Sequence, residues 1–109
     1  MLHAMDFDAV VAQVRAWCAQ PVVVVLEPDH AVMPGVLHEI DGAGIDGALF
    51  AVADAADPQA RPTGIAIALF RDALVEARLR PDGALHVRQG RFEIIVRRQD
   101  ASAARSPDR

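Results

Sequence analysis

The chain has 109 residues, 52% of them apolar and 24% charged, which gives one domain a core of its own and excludes intrinsic disorder for its body. Four Phe, one Trp and no Tyr leave Val, Leu, Ile and Ala to fill that core and offer few platforms on which single-stranded nucleic acid can stack. The net charge of −4 argues against general nucleic-acid binding, whose affinity comes from neutralised phosphates.

The first predicted element is an amphipathic helix from about Asp6 to Gln20. Phe7, Val10, Val11, Val14, Trp17 and Cys18 share one stripe of a 3.6-residue period. Asp6 suits the N-cap, Pro21 ends the helix, and Asp8, Gln13 and Arg15 take the solvent side. From Val22 the pattern becomes that of strands. Val22 to Leu26 is a β-branched run between Pro21 and Pro28, read as a strand with both faces covered. Met33 to Ile40 follows, with Gly35 marking a bend or a close backbone approach. A glycine-rich loop from Asp41 to Gly47, a strand from Ala48 to Ala53, a long polar loop from Asp54 to Gly64 and a strand from Ile65 to Phe70 come next.

Residues 73–98 read as a three-stranded antiparallel meander. Val75, Ala77 and Leu79 alternate with Glu76, Arg78 and Arg80. A three-residue loop, Pro81-Asp82-Gly83, keeps the apolar side continuous by setting Leu79 opposite Leu85 and Ala77 opposite Val87. A two-residue loop at Gln89-Gly90 then sets Val87 against Phe92 and Leu85 against Ile94. On the outer face this register makes two cross-strand rows, Glu76, Arg88, Arg91 and Arg78, His86, Glu93. Residues 1–98 form the single domain, and Gln99 to Arg109 reads as a disordered tail.

Charge is divided along the chain. Residues 1–60 carry Arg15 alone against nine acids, a net −8, whereas residues 61–109 carry ten arginines against six acids, a net +4. Such a chain attracts an acidic partner to one surface, pairs with a copy of itself, or neutralises itself in the fold. Arg88 facing Arg91 is unfavourable unless Glu76 or an outside anion lies between them. Arg78, Arg80, His86, Arg88, Arg91 and Arg97 are therefore the candidate partner-binding residues, with Arg98 beside them.

Motifs for chemistry do not converge. Gly42-Ala43-Gly44-Ile45-Asp46-Gly47 has the letters of a dinucleotide fingerprint but precedes a predicted strand, where that chemistry needs a helix N-terminus. Asp41 and Asp46 are too few for a calcium loop. His3, His30, His38 and His86 show no metal-binding spacing, and Gly42 stands where a zinc-protease helix needs its second histidine. Cys18 reads as a core thiol with no partner for a disulfide. Catalytic residues, metal and cofactor are accordingly expected to be none. The acidic start, Met1 to Asp8, and the lack of an apolar run near roughly 20 residues suggest a soluble, cytoplasmic protein without a membrane span. All eleven basic residues are arginine, a bias that suggests a GC-rich bacterial source.

Val22-Val23-Val24-Val25-Leu26, Gly35-Val36-Leu37-His38-Glu39-Ile40-Asp41 and Ile67 through Leu79, in the order helix, strand, bent strand, strand, loop, strand, break, strand, resemble the small Sm-like barrel. More particularly, residues 6–80 are similar to the C-terminal domain of the bacterial ribosome maturation factor family. The resemblance implies a closed, SH3-like barrel. The Sm signature asparagine is replaced by the Gly42 to Gly47 loop, and the usual Arg-Gly step is Arg71-Asp72, so RNA binding does not carry over. The fold expected is mainly β, within the α+β class: an N-terminal helix, then an antiparallel barrel or open sheet ending in the meander. An open sheet would leave free edges that favour a homo-oligomer. The function expected is non-catalytic: an adaptor docking a protein partner through the arginine face, with the 54–64 loop contributing shape. RNA or the ribosome is the alternative partner, and an immunity or antitoxin-like use of the acidic half, Asp41 to Asp57, is a third reading.

Overall fold

Asp6 opens helix α1 (Phe7–Ala16) as the sequence predicts, its carboxylate accepting the Ala9 N–H at 2.8 Å. The helix ends at Ala16 rather than Gln20. Trp17 N–H bonds back to Val14 C=O at 3.0 Å, which tightens the last turn, and Ala19, at φ +68°, redirects the chain while donating to Leu37 C=O. The computed structural model describes residues 5–42, 44–53 and 66–99. Within them α1 precedes β1 (Pro21–Glu27), β2 (Ala31–Ile40), β3 (Gly47–Ala53), β4 (Ile67–Phe70), β5 (Leu74–Leu79), β6 (Leu85–Gln89) and β7 (Phe92–Arg98). The expected 54–64 loop, residue Ile65 and the tail from residue 100 lie outside the described residues.

All pairings are antiparallel, in the order β4-β3-β2-β1-β7-β6-β5. One face of this sheet carries the core. Val22, Val24, Leu37, Phe50, Ile67, Leu69, Leu85, Val87 and Val96 pack there with Phe7, Val10, Val11, Val14 and Trp17 of α1. Each large side chain buried in this way contributes about 1.5–3 kcal/mol. The expectation that β1 is covered on both faces holds fully for one face only, the one against α1: Val22 and Val24 are buried, whereas Val23 and Val25 are half-buried. Gly35 is the close approach the sequence suggested. A methyl group there would overlap the Ala53 carbonyl and Val52 Cγ1.

The turn at Pro81-Asp82-Gly83 is as predicted. Arg80 N–H reaches Ala84 C=O at 2.8 Å, Gly83 takes φ +90°, and Leu79 faces Leu85 while Ala77 faces Val87. Two other expectations for the meander are corrected. The loop between β6 and β7 is Gly90-Arg91 rather than Gln89-Gly90, so Val87 faces Ile94, Leu85 faces Val96 and Gln89 faces Phe92. Glycine at φ +55° in the first loop position accounts for the choice, since that conformation strains other residues. Val75 is not a core residue. A bulge between Leu74 and Glu76 interrupts the β5–β6 register, leaving Val75 60% exposed while Leu74 packs against the core. Leu79, also expected inside, is 40% exposed at the end of β5.

β4 and β5 stand at opposite ends of the strand order, yet a single 3-10 turn, Arg71–Ala73, joins them. The sheet therefore curls until its ends meet. Gln89, 8% exposed, spans the meeting point: its Oε1 accepts Phe70 N–H at 2.7 Å and its Nε2 donates to Ala68 C=O at 2.7 Å. Gly90 N–H adds a bond to Ala73 C=O at 3.2 Å. No ladder joins β4 to β5 among the described residues, so of the two expected architectures the structure is an open seven-stranded sheet rather than a closed barrel. Gln89→Ala leaves Phe70 N–H and Ala68 C=O without these partners; urea unfolding should show a loss of about 2–3 kcal/mol with the denaturant slope unchanged.

Candidate binding surface

The cross-strand register fixes what the sheet presents on the side away from α1. Val32, Val25, Ile95, His86 and Arg78 form one continuous row; Pro34, Val23 and Arg97 form the row on one side of it, and Glu27, Glu93, Arg88 and Glu76 the row on the other. The middle of this face is aliphatic. Its β6 and β5 end is charged, with both signs interleaved.

The structure brings most of the predicted residues to this face, in a pairing different from the one expected. Arg88 faces Glu93 instead of Arg91, because the loop begins one residue later. The predicted opposition of two arginines is thereby absent, and Arg91 stands at the exposed loop. Arg88 and Arg78 each approach a Glu76 carboxylate oxygen at 4.0 Å. The buried Nε of Arg78 takes no hydrogen bond among the described residues. His86, 7% exposed, is sunk in the sheet with Nε2 2.9 Å from Glu93 Oε1. Arg97 reaches Asp82 at 3.2 Å. Arg80 leaves the end of β5 close enough to influence Asp82 and Glu93.

Three carboxylates titrate below their usual range for identifiable reasons. Glu93 is lowered by its hydrogen bond to His86, with Arg88 and Arg80 adding to the effect. Asp82 is lowered first by the Ala84 N–H, which it accepts at 3.0 Å, and then by Arg97. Glu39 is lowered by Arg15, whose Nε and Nη2 grip both its oxygens at 2.8 and 2.9 Å and tie α1 to β2. Arg71 makes a comparable clamp. It bonds Asp8 of α1 at 2.9 Å and Asp46 at 3.0 Å, and lies 4.7 Å from the centre of the Phe7 ring.

Other candidates are placed without a convergent chemistry. The glycine loop leads into β3, not a helix, and the cleft of about 200 Å³ beside it is bordered by Arg15, Glu39 and Asp41. Asp46 is engaged by Arg71. No group of three or more His, Cys, Asp or Glu suited to a metal occurs among the described residues. Burial raises the Cys18 thiol. No helix of the described residues is long and apolar enough to cross a membrane.

Sequence reasoning missed two features. The first is the aliphatic middle of the outer face, hidden because the valine run of β1 reads as buried on both sides. The second is a cleft of about 200 Å³ at the end of the sheet farthest along β1, lined by Leu26, Glu27, Ala66, Ala68, Gln89, Phe92 and Ile94. Placing Gln89 in a turn concealed it; Gly90 as the first loop residue was the signal that would have found it. Neither family models, curated proteins nor solved structures give a match to this chain.

The depressed carboxylates give stability a definite pH dependence. Their folded values lie below their unfolded ones, so their contribution is complete above the ordinary carboxylate range and disappears as pH falls through the depressed values. The urea midpoint should stay level from neutrality to about pH 5 and drop below about pH 4. Glu39→Gln should make that drop shallower; an unchanged profile in the variant would remove Glu39 from the account.

Proposed function

We propose that the protein is a non-catalytic docking module that binds another protein on the outer face of β1, β2, β5, β6 and β7. The observation that carries this reading is the row Val32, Val25, Ile95, with Val23 and Pro34 beside it, on the side of the sheet away from the core. Val32 is 51% exposed there. Removing such a stripe from water supplies affinity without direction. Direction comes from Arg78, Arg88 and Arg97 at its border, which suit a partner with acidic groups around an apolar centre. Because these arginines already have acids close by on the same sheet, charge serves orientation and encounter more than affinity.

This arrangement favours a protein over RNA. Phosphate recognition draws on unneutralised cations and stacking surfaces, whereas here Glu76, Glu93 and Asp82 sit among the arginines, and the aliphatic centre, half-buried except at Val32 and Pro34, offers no aromatic platform. Affinity capture with the tagged full chain, followed by titration of the captured polypeptide, tests the reading. Val32→Asp, and separately Arg88→Glu with Arg97→Glu, should weaken that complex by about tenfold or more while thermal unfolding stays cooperative. Retention indifferent to both changes would contradict it. Submicromolar binding of a mixed RNA pool that falls steeply with salt would replace the protein partner with a nucleic acid.

A further inference from the structure

Phe92 is the least buried aromatic of the described residues. It begins β7 at the loop Gly90-Arg91 and is 61% exposed, although its register places it on the same face as Ile94 and Val96 of the core. Beside it lies the cleft of about 200 Å³ walled by Leu26, Ala66, Ala68, Gln89 and Ile94, with Phe92 at its border. A large aromatic group standing in water next to an apolar hollow that it does not fill marks an interaction site.

The charges around it are ordered. Arg91 precedes Phe92 on the exposed loop, and no ion pair engages it among the described residues. Glu27 lines the cleft and lies directly opposite Glu93 across the β1–β7 pair. Like charges in directly opposed positions destabilise a sheet. Glu93 is answered by His86, and among the described residues Glu27 is paired with the exposed His30, 3.0 Å away. A cation delivered to Glu27 from outside would offset that repulsion.

We propose that two copies of the chain associate through this end of the sheet, each inserting Phe92 into the other's cleft and bringing Arg91 to the other's Glu27. Protrusion and hollow, cation and carboxylate, all belong to one small patch, so a two-fold axis beside Phe92 makes each contact twice. A two-fold interface requires self-complementarity of this kind. An unrelated partner would have to supply both an aromatic and an adjacent cation, which this chain already carries as Phe92 and Arg91. Apart from Glu27, which also ends one charged row of the outer face, the patch is distinct from the arginine and valine rows.

Sedimentation velocity of the full chain over a wide concentration range tests this. A reversible monomer–dimer equilibrium is expected, with the dissociation constant raised about tenfold or more by Phe92→Ala. Because Phe92 is exposed, that variant should unfold at the wild-type temperature when both are dilute enough to be monomeric, which separates loss of contact from loss of fold. Arg91→Glu should weaken the dimer, and Arg91→Glu combined with Glu27→Arg should restore it. Arg97→Glu, in the row on the far side of the outer face, should leave self-association unchanged. A chain that stays monomeric throughout, a dimer indifferent to Phe92→Ala, or a charge exchange that fails to restore association would overturn the proposal.

Discussion

The carboxamide of Gln89 ties the two ends of the sheet together. A seven-stranded antiparallel sheet has two edges, and here both belong to strands consecutive in the chain, β4 and β5, with three residues between them. Without a tie, β4 would be a four-residue edge strand held by β3 alone. Gln89 places one acceptor and one donor on that edge, taking Phe70 N–H and giving to Ala68 C=O. In an apolar interior these groups cost far more unpaired than paired, so Gln89, with the short link Arg71–Ala73 and the Gly90 N–H bond to Ala73 C=O, holds the curled ends together. Enclosure follows from that curl. Valine and leucine positions from all seven strands reach one core, and a helix of ten residues is enough to cover it.

Much of this was legible in the sequence, and what was not has identifiable causes. The α1 stripe and its Asp6 cap follow from spacing alone. So does the β5–β6 hairpin, because Pro81-Asp82-Gly83 permits one loop geometry that keeps the apolar side continuous. The β6–β7 register resisted because moving the loop from Gln89-Gly90 to Gly90-Arg91 shifts the pairing by two residues and leaves every side chain on its original face. Alternation cannot distinguish those alternatives; the conformational demand on Gly90 can. The Val75 bulge is invisible to a rule that assumes an uninterrupted period of two. The role of Gln89 was hidden for a related reason, since a polar residue between a strand and a glycine reads as loop until the strand that it bonds is in place.

That register error also shaped the reading of the charged face. Two opposed arginines, Arg88 and Arg91, would need Glu76 or an outside anion between them, unless the ladder offsets its own charges. With Glu93 opposite Arg88, and Glu76, Asp82 and His86 close by, the same residues form a largely self-compensated ladder. The uneven charge along the chain is absorbed partly in this way and partly by Arg15 and Arg71, which fasten the helix to acids of the first half. Apolar surface is available at Val32 on the outer face and at Phe92. Under the proposed docking function, recognition would rest on buried apolar area oriented by charge, not on charge alone.

The central claim is that Gln89 converts an open edge into a protected one, and hydrogen exchange of the Phe70 amide measures this directly. An edge amide open to water exchanges through small local fluctuations, whereas one held by a buried partner requires a larger opening. The account predicts protection of Phe70 comparable to that of Val87 and Val96 in the middle of the sheet. Exchange of Phe70 at the rate of an exposed loop amide, with Val87 and Val96 still protected, would show that the β4 edge is open and that something other than Gln89 holds the ends of the sheet together.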